Sequence, residues 1–262
     1  VTTADPPIVL LHGFTQTGAS WAPVVAASAR LQTAVRPDLP GHGAADPARD
    51  DSTLAETAAA LAAAVDGPAR WVGYSMGGRV ALRLALDHPE VVSGLVLIGA
   101  TAGIDDPVDR AERRRADDAL ATRIETEGVD RFLDGWLAQP LFADLSPTPA
   151  DLVARRANRA EGLAASLRAA GTGTMDPPWW DDLASITAPV TIVVGERDAK
   201  FRVLGARLAA GIGGPTQTVV IEGAGHAAHL ERPAEVAAVI ATAPPATPER
   251  RRPTTLGDPS TS

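Results

Sequence analysis

The sequence predicts an α/β protein with a doubly wound, mostly parallel sheet and a helical lid inserted between its strands. Three observations support this. Short β-favouring apolar runs alternate with helical stretches over residues 1–101 and resume after about residue 186. Residues 102–185 read as helices, with no convincing strand among them. The loops that follow the apolar runs carry histidine, serine, aspartate and glycine, as expected of a site at the carboxyl edge of such a sheet.

Taken in order, Ile8-Val9-Leu10-Leu11 lies between Pro7 and His12-Gly13 and suits a central strand buried on both faces. His12-Gly13-Phe14 follows it, where the backbone N–H of Phe14 is placed to stabilise an anion. A helical stretch around Trp21 to Ala29 leads to a second expected strand, Thr33 to Leu39, which closes in Asp38-Leu39-Pro40-Gly41-His42-Gly43. The helix Leu54 to Val65 precedes a strand at Arg70-Trp71-Val72, and the helix Arg79 to Leu86 precedes the strand Gly94 to Ile98. The lid is expected to hold helices at Asp109 to Glu127, Val129 to Ala138 and Pro149 to Ala170, the last one broken. The alternation returns with the strand Val190 to Val194, the helix Arg202 to Ala210, the strand Thr218 to Ile221 and the helix Pro233 to Ala243. The organisation expected is a core of 1–101 and 186–243, a lid of 102–185, and a disordered Pro/Thr/Ser/Arg-rich tail at 244–262.

Composition narrows the function classes. With 45% hydrophobic and 21% charged residues the chain reads as folded and soluble. A formal net charge of -8 argues against nucleic-acid and anionic-membrane partners, which recruit positive faces. No apolar run has the length of a membrane span, and Val1 to Pro7 lacks the basic start and apolar core of a signal peptide. Together with the absence of cysteine, this gives the expectation of a cytoplasmic protein, monomeric or weakly homo-oligomeric. Lys200 is the sole lysine, so almost all positive charge is arginine.

The chemistry centres on Gly73-Tyr74-Ser75-Met76-Gly77, a Gly-x-Ser-x-Gly frame between a strand and a helix. Glycine on both sides permits a strained turn that presents the Ser75 hydroxyl at its tip. Asp198 follows the strand ending at Val194, and His226 the strand ending at Ile221. Serine, acid and histidine at three strand ends form a proton-transfer unit in which the acid orients the imidazole and the imidazole takes the serine proton. Asp105 is the runner-up acid and Glu222 a weaker one. The His226/His229 spacing suits a shared metal, but no third ligand is apparent, so neither a metal nor a cofactor is expected. Arg79 lies one turn into the helix after Ser75, where the helix dipole disfavours a cation by about 0.3–1 kcal/mol unless an anion compensates. It therefore marks an anionic ligand.

Residues from about Ile8 to Ala243 resemble the α/β-hydrolase superfamily through these same motifs. Within it the chain is similar to the 2-succinyl-6-hydroxy-2,4-cyclohexadiene-1-carboxylate synthase family, pyruvate-eliminating lyases of menaquinone biosynthesis. Gly78-Arg79, Arg110-Ala111-Glu112-Arg113 with Asp117, Phe132, and Trp136-Leu137-Ala138-Gln139-Pro140-Leu141-Phe142 carry that likeness. So do Ser166-Leu167-Arg168, Gly171-Thr172-Gly173, Gly195-Glu196-Arg197-Asp198 with Lys200-Phe201, and His226 with His229, Glu231 and Pro233. Met175 stands where the family commonly has glutamine. The resemblance implies a small tricarboxylate substrate, no cofactor, Arg79, Arg113 and Arg156 as anchors, and Tyr74 and Trp136 lining the pocket. The N–H groups of Phe14 and Met76 would form the oxyanion hole. Arg113 with Asp117 also has the i,i+4 spacing of an ordinary solvated helix pair. A serine hydrolase of an ester or carbon–carbon bond, and a ligand-sensing receptor on the same fold, remain as alternatives.

Overall fold

The computed structural model describes residues 6–45 and 52–244. Five strands, β1 (Ile8–Leu11), β2 (Ala69–Tyr74), β3 (Val92–Ile98), β4 (Val190–Gly195) and β5 (Thr216–Ile221), form one sheet in that order, all neighbours parallel. Successive side chains point to opposite faces, so each strand serves two cores. Val9, Leu11, Trp71, Leu95, Leu97, Ile192 and Val194 are buried on one face with Val80, Leu82 and Leu84. Ile8, Leu10, Val72, Tyr74, Val96, Ile98 and Val193 are buried on the other with Val24, Val236 and Ile240. Burial on both sides is why β1 is an unbroken apolar run and β2 to β4 are mostly apolar.

Helices α1 (Ala22–Ala26), α2 (Leu54–Ala63) and α3 (Met76–Asp87) join the first three strands. The lid comprises α4 (Pro107–Glu127), α5 (Val129–Leu137), α6 (Pro149–Arg156) and α7 (Ala160–Ala170), with no strand among them. It has its own small core of Ala121, Ile124, Phe132, Leu163, Ala164 and Leu167. After β4 come α8 (Ala199–Gly211), β5, the short α9 (Ala228–Glu231) and α10 (Pro233–Thr242). The tail expected to be disordered, 244–262, lies outside the described residues except for Pro244.

The strand expected at Thr33 to Leu39 does not form. Only Val35 pairs, in one parallel bridge to Val9, with Leu10 N–H donating to Val35 O (2.8 Å) and Val35 N–H to Ile8 O (2.9 Å). Pro37 has no N–H and Pro40 follows closely, so the ladder cannot be extended. The third lid helix is broken at 157–159 into α6 and α7.

Because all five strands run the same way, the loops after β1, β2, β4 and β5 share one edge. Two glycines bring β1, β2 and α3 close there. A Cβ on Gly73 would lie 2.3 Å from Gly77 O, and one on Gly77 2.3 Å from Leu11 O. Gly77→Ala is therefore expected to destabilise the fold by about 3 kcal/mol, since backbone on both sides cannot retreat. Gly135 in α5 meets only the far end of Arg123 at 3.8 Å. Gly135→Ala should stabilise by roughly 0.5–1 kcal/mol through helix propensity, and urea unfolding of the two variants measures the contrast.

Candidate active site

Ser75 sits at the β2–α3 junction with φ 49° and ψ -103°, a conformation L-residues rarely adopt. Its N–H donates to Ile98 O at 2.8 Å, tying the turn to β3. The hydroxyl lies 3.4 Å from Nε2 of His226, and Nδ1 of that ring is 2.7 Å from Oδ2 of Asp198. The carboxylate accepts, so the Nδ1 proton belongs to the imidazole and Nε2 is left to face the serine. Oδ1 of Asp198 accepts from Phe201 N–H at 3.2 Å, capping α8 and holding the acid in one orientation. Gly99, at φ 56°, makes room for the imidazole, because a Cβ there would lie 2.8 Å from the ring.

The other candidate acids are placed elsewhere. Asp105 is paired with Arg207 on the surface, and Glu222 is exposed. His229 is buried beside Tyr74, ring centroids 4.1 Å apart, and its Nε2 is 3.2 Å from the Gln16 amide nitrogen. Among the described residues no group of three or more His, Cys, Asp or Glu could hold a metal ion.

The N–H groups of Phe14 and Met76 have no hydrogen-bond partner among the described residues, and both residues line the cavity over Ser75. Two N–H groups without partners at one cavity beside Ser75 are available to an oxygen of a bound molecule. Lid and sheet edge share this cavity. Tyr74, Arg79, Phe201 and His226 come from below, and Arg113, Trp136, Phe142 and Leu167 from above.

Arg79 is buried, and its guanidinium donates to Ala170 O at 2.5 Å. Its pKa is pushed down to about 10 by burial and by nearby Arg113, partly offset by Asp117. Among the described residues no carboxylate pairs with it directly. Arg113 lines the cavity while its Nε donates to the buried Asp117 at 2.8 Å, so it is both a helix pair and a wall residue.

Arg156 is not in the wall. It is half exposed on the outside of α6, 3.4 Å from Asp130 and 3.7 Å from Asp134. The guanidinium in the cavity is that of Arg155, 2% exposed, with Nε 2.6 Å from Asp151 Oδ2. Adjacent residues on a helix point about 100° apart, so one residue of register moves an arginine from wall to surface. The signal present was Asp151, four residues ahead of Arg155, an i,i+4 partner that Arg156 lacks, although the spacing alone does not show that the pair is buried. Lys200 and Gln16 also line the cavity without having been assigned a role. Met175, in the position where glutamine is common, is buried in the core and is not a wall residue.

Residues 8–239 match the model of the alpha/beta hydrolase family. The chain belongs to that family. It is 36% identical over 240 residues to a 2-succinyl-6-hydroxy-2,4-cyclohexadiene-1-carboxylate synthase of Escherichia coli O1:K1, covering 90% of this chain and 92% of the relative. Among solved structures it is similar to MenH from S. aureus, with a TM-score of 0.83 and 28% identity over 91% of this chain and 93% of that one. An enol-lactonase from Burkholderia xenovorans is also similar, with a TM-score of 0.70 and 25% identity over 91% and 90%.

Three buried histidines give the fold a pH dependence. Burial lowers His12 to about 4 and His42 to about 3, and holds His229 well below the ordinary value. Each is neutral when folded and takes up a proton on unfolding once the pH is below about 6.5. Their folded pKa values lie below the unfolded one, so stability is complete above about pH 6.5 and is lost as the pH falls towards 4. Urea unfolding at pH 5 should give a free energy lower than at pH 7.5 by roughly 1–2 kcal/mol per imidazole. Equal stability at both values would remove the neutral assignment.

Proposed function

We propose that this protein is a lyase that eliminates pyruvate from 2-succinyl-5-enolpyruvyl-6-hydroxy-3-cyclohexene-1-carboxylate, yielding 2-succinyl-6-hydroxy-2,4-cyclohexadiene-1-carboxylate. The observation that carries this is Arg79, a buried guanidinium without a carboxylate partner that faces the same cavity as Ser75 and His226. The similarity to synthases over nine-tenths of the chain supports it.

The substrate bears three carboxylates and a ketone. Ser75, activated by His226, removes the proton beside the ketone, and Asp198 stabilises the imidazolium. The electron pair of the broken C–H bond passes through the dienolate and expels the enolpyruvyl oxygen, which leaves as pyruvate after protonation. The N–H groups of Phe14 and Met76 hold the developing enolate oxygen, worth on the order of 3 kcal/mol per donor in other enzymes. No water is consumed and no cofactor takes part. Arg79, Arg113 and Arg155 supply three guanidinium groups for three carboxylates, with Tyr74 and Trp136 against the ring. The enzyme is read as cytoplasmic, acting alone or as a weak homo-oligomer.

Hydrolysis through an acyl-Ser75 is the second reading, favoured by the same Ser75–His226 contact. Turnover in oxygen-18 water separates the two, because hydrolysis places solvent oxygen in a product carboxylate and elimination places none there.

Incubation with the enolpyruvyl substrate should release pyruvate, and Ser75→Ala or His226→Ala should each slow release by roughly 100-fold or more. Near-wild-type turnover by both variants would remove the proton-transfer assignment.

The arginines differ in which assay responds. Arg79→Ala should lower kcat/KM by roughly 10- to 150-fold, the worth of a charge-assisted hydrogen bond. Arg156→Ala should leave kcat/KM within about 2-fold, since its partners are surface carboxylates. Arg155→Ala should lose activity and also about 3 kcal/mol of stability, because Asp151 would be left buried and unpaired. A wild-type kcat/KM for Arg79→Ala would turn the assignment towards a generic esterase.

A further inference from the structure

Thr15 follows the proposed oxyanion donor Phe14 and is fully buried at φ 66°. A β-branched side chain disfavours this left-handed conformation strongly, so surrounding contacts must hold it there. Each polar group of Thr15 is engaged. Its N–H donates to His42 Nε2 at 3.3 Å, and its hydroxyl accepts from Arg155 at 2.5 Å. Its carbonyl accepts from Asn158 Nδ2 at 2.8 Å.

Asn158 is 5% exposed, lies in the break between α6 and α7, and does not line the cavity. Its Oδ1 accepts from Gly43 N–H at 2.7 Å, and its Nδ2 also donates to Arg155 O at 2.9 Å. These partners fix the amide orientation, since Gly43 N–H can only donate and the two carbonyls can only accept. One lid side chain therefore ties together the loops after β1 and around Gly43.

We propose that Asn158 is a positioning residue that holds the Phe14 N–H in the oxyanion hole by clamping Thr15 in its left-handed conformation. The role rests on the lyase reading for its kinetics but not for its geometry. Without the clamp, Thr15 relaxes towards negative φ, the Phe14–Thr15 peptide rotates out of its contact with His42, and Phe14 shifts with it, displacing the N–H of the adjoining Gly13–Phe14 peptide. Asn158 touches Arg155 only at its backbone carbonyl and does not line the cavity, so the loss falls mainly on kcat. Asparagine is required because it both donates and accepts. Aspartate keeps the shape and the Gly43 contact but sets a carboxylate oxygen against the Thr15 carbonyl.

The test compares Asn158→Asp, Asn158→Ala and the double variant Asn158→Ala/Thr15→Gly, all at equal folded protein. The two single variants should lower kcat for pyruvate release by roughly 10- to 100-fold, the scale of a displaced oxyanion donor, with KM within about 3-fold. Glycine adopts positive φ without steric cost, so adding Thr15→Gly should return roughly 5-fold or more of the activity lost in Asn158→Ala. The inference is overturned if Asn158→Asp keeps kcat within about 2-fold of wild type, or if the loss is entirely in KM. It is equally overturned if Thr15→Gly restores nothing. If the wild-type enzyme releases no pyruvate, the lyase reading fails, and a crystal structure of Asn158→Ala decides the positioning role by itself. Thr15 departing from φ 66° then supports the clamp, and Thr15 unmoved removes it.

Discussion

The contact on which the rest of the site depends is the close approach of β1, β2 and the first turn of α3. Gly73 packs on the Gly77 carbonyl and Gly77 on the Leu11 carbonyl, at distances that no side chain allows. This closeness holds Ser75 at φ 49° and turns its hydroxyl towards His226. It also sets the start of α3 beside the loop after β1, so that Met76 and Phe14 line one cavity. The Ser75 turn and the pairing of Met76 with Phe14 in that wall are thus two results of one backbone packing.

The walls decide what that arrangement acts on. Arg79, Arg113, Arg155 and Lys200 line the cavity, while the acidic groups engaged with the first three are Asp117 and Asp151. The excess is positive, and Arg79 bears it in a buried place near a helix N-terminus where burial already depresses its pKa. Such a cation is stabilised most by a ligand carboxylate. A neutral ester offers none, which is why charge in the cavity separates a lyase of a polyanion from an esterase better than the Ser75–His226–Asp198 geometry does.

Much of this was legible before the structure. Apolar runs bounded by Gly, Pro and His identify buried parallel strands, and parallel strands bring their following loops to one edge, so Ser75, Asp198 and His226 could be joined from order alone. The errors have local causes. Thr33 to Leu39 has strand composition, but Pro37 removes the donor that would extend the pairing of Val35. Arg155 and Arg156 are chemically identical, and only the burial of Asp151 against the first of them shows which one faces inward. The strain at Thr15 had no sequence signal, since threonine is among the residues least expected at positive φ.

The lid has its own apolar core in Ile124, Phe132, Leu163 and Leu167, so its helices hold their mutual arrangement without the substrate. Its contacts with the core include Arg155 and Asn158 to Thr15, Asn158 to Gly43, Asp151 to Ser20, Arg79 to Ala170, and Phe14 packed on Phe132 and Trp136. In the proposed function, lid residues 155–158 both supply an anchor and hold Thr15 next to Phe14, so a change of lid sequence there would act on anchoring and on the anion hole together.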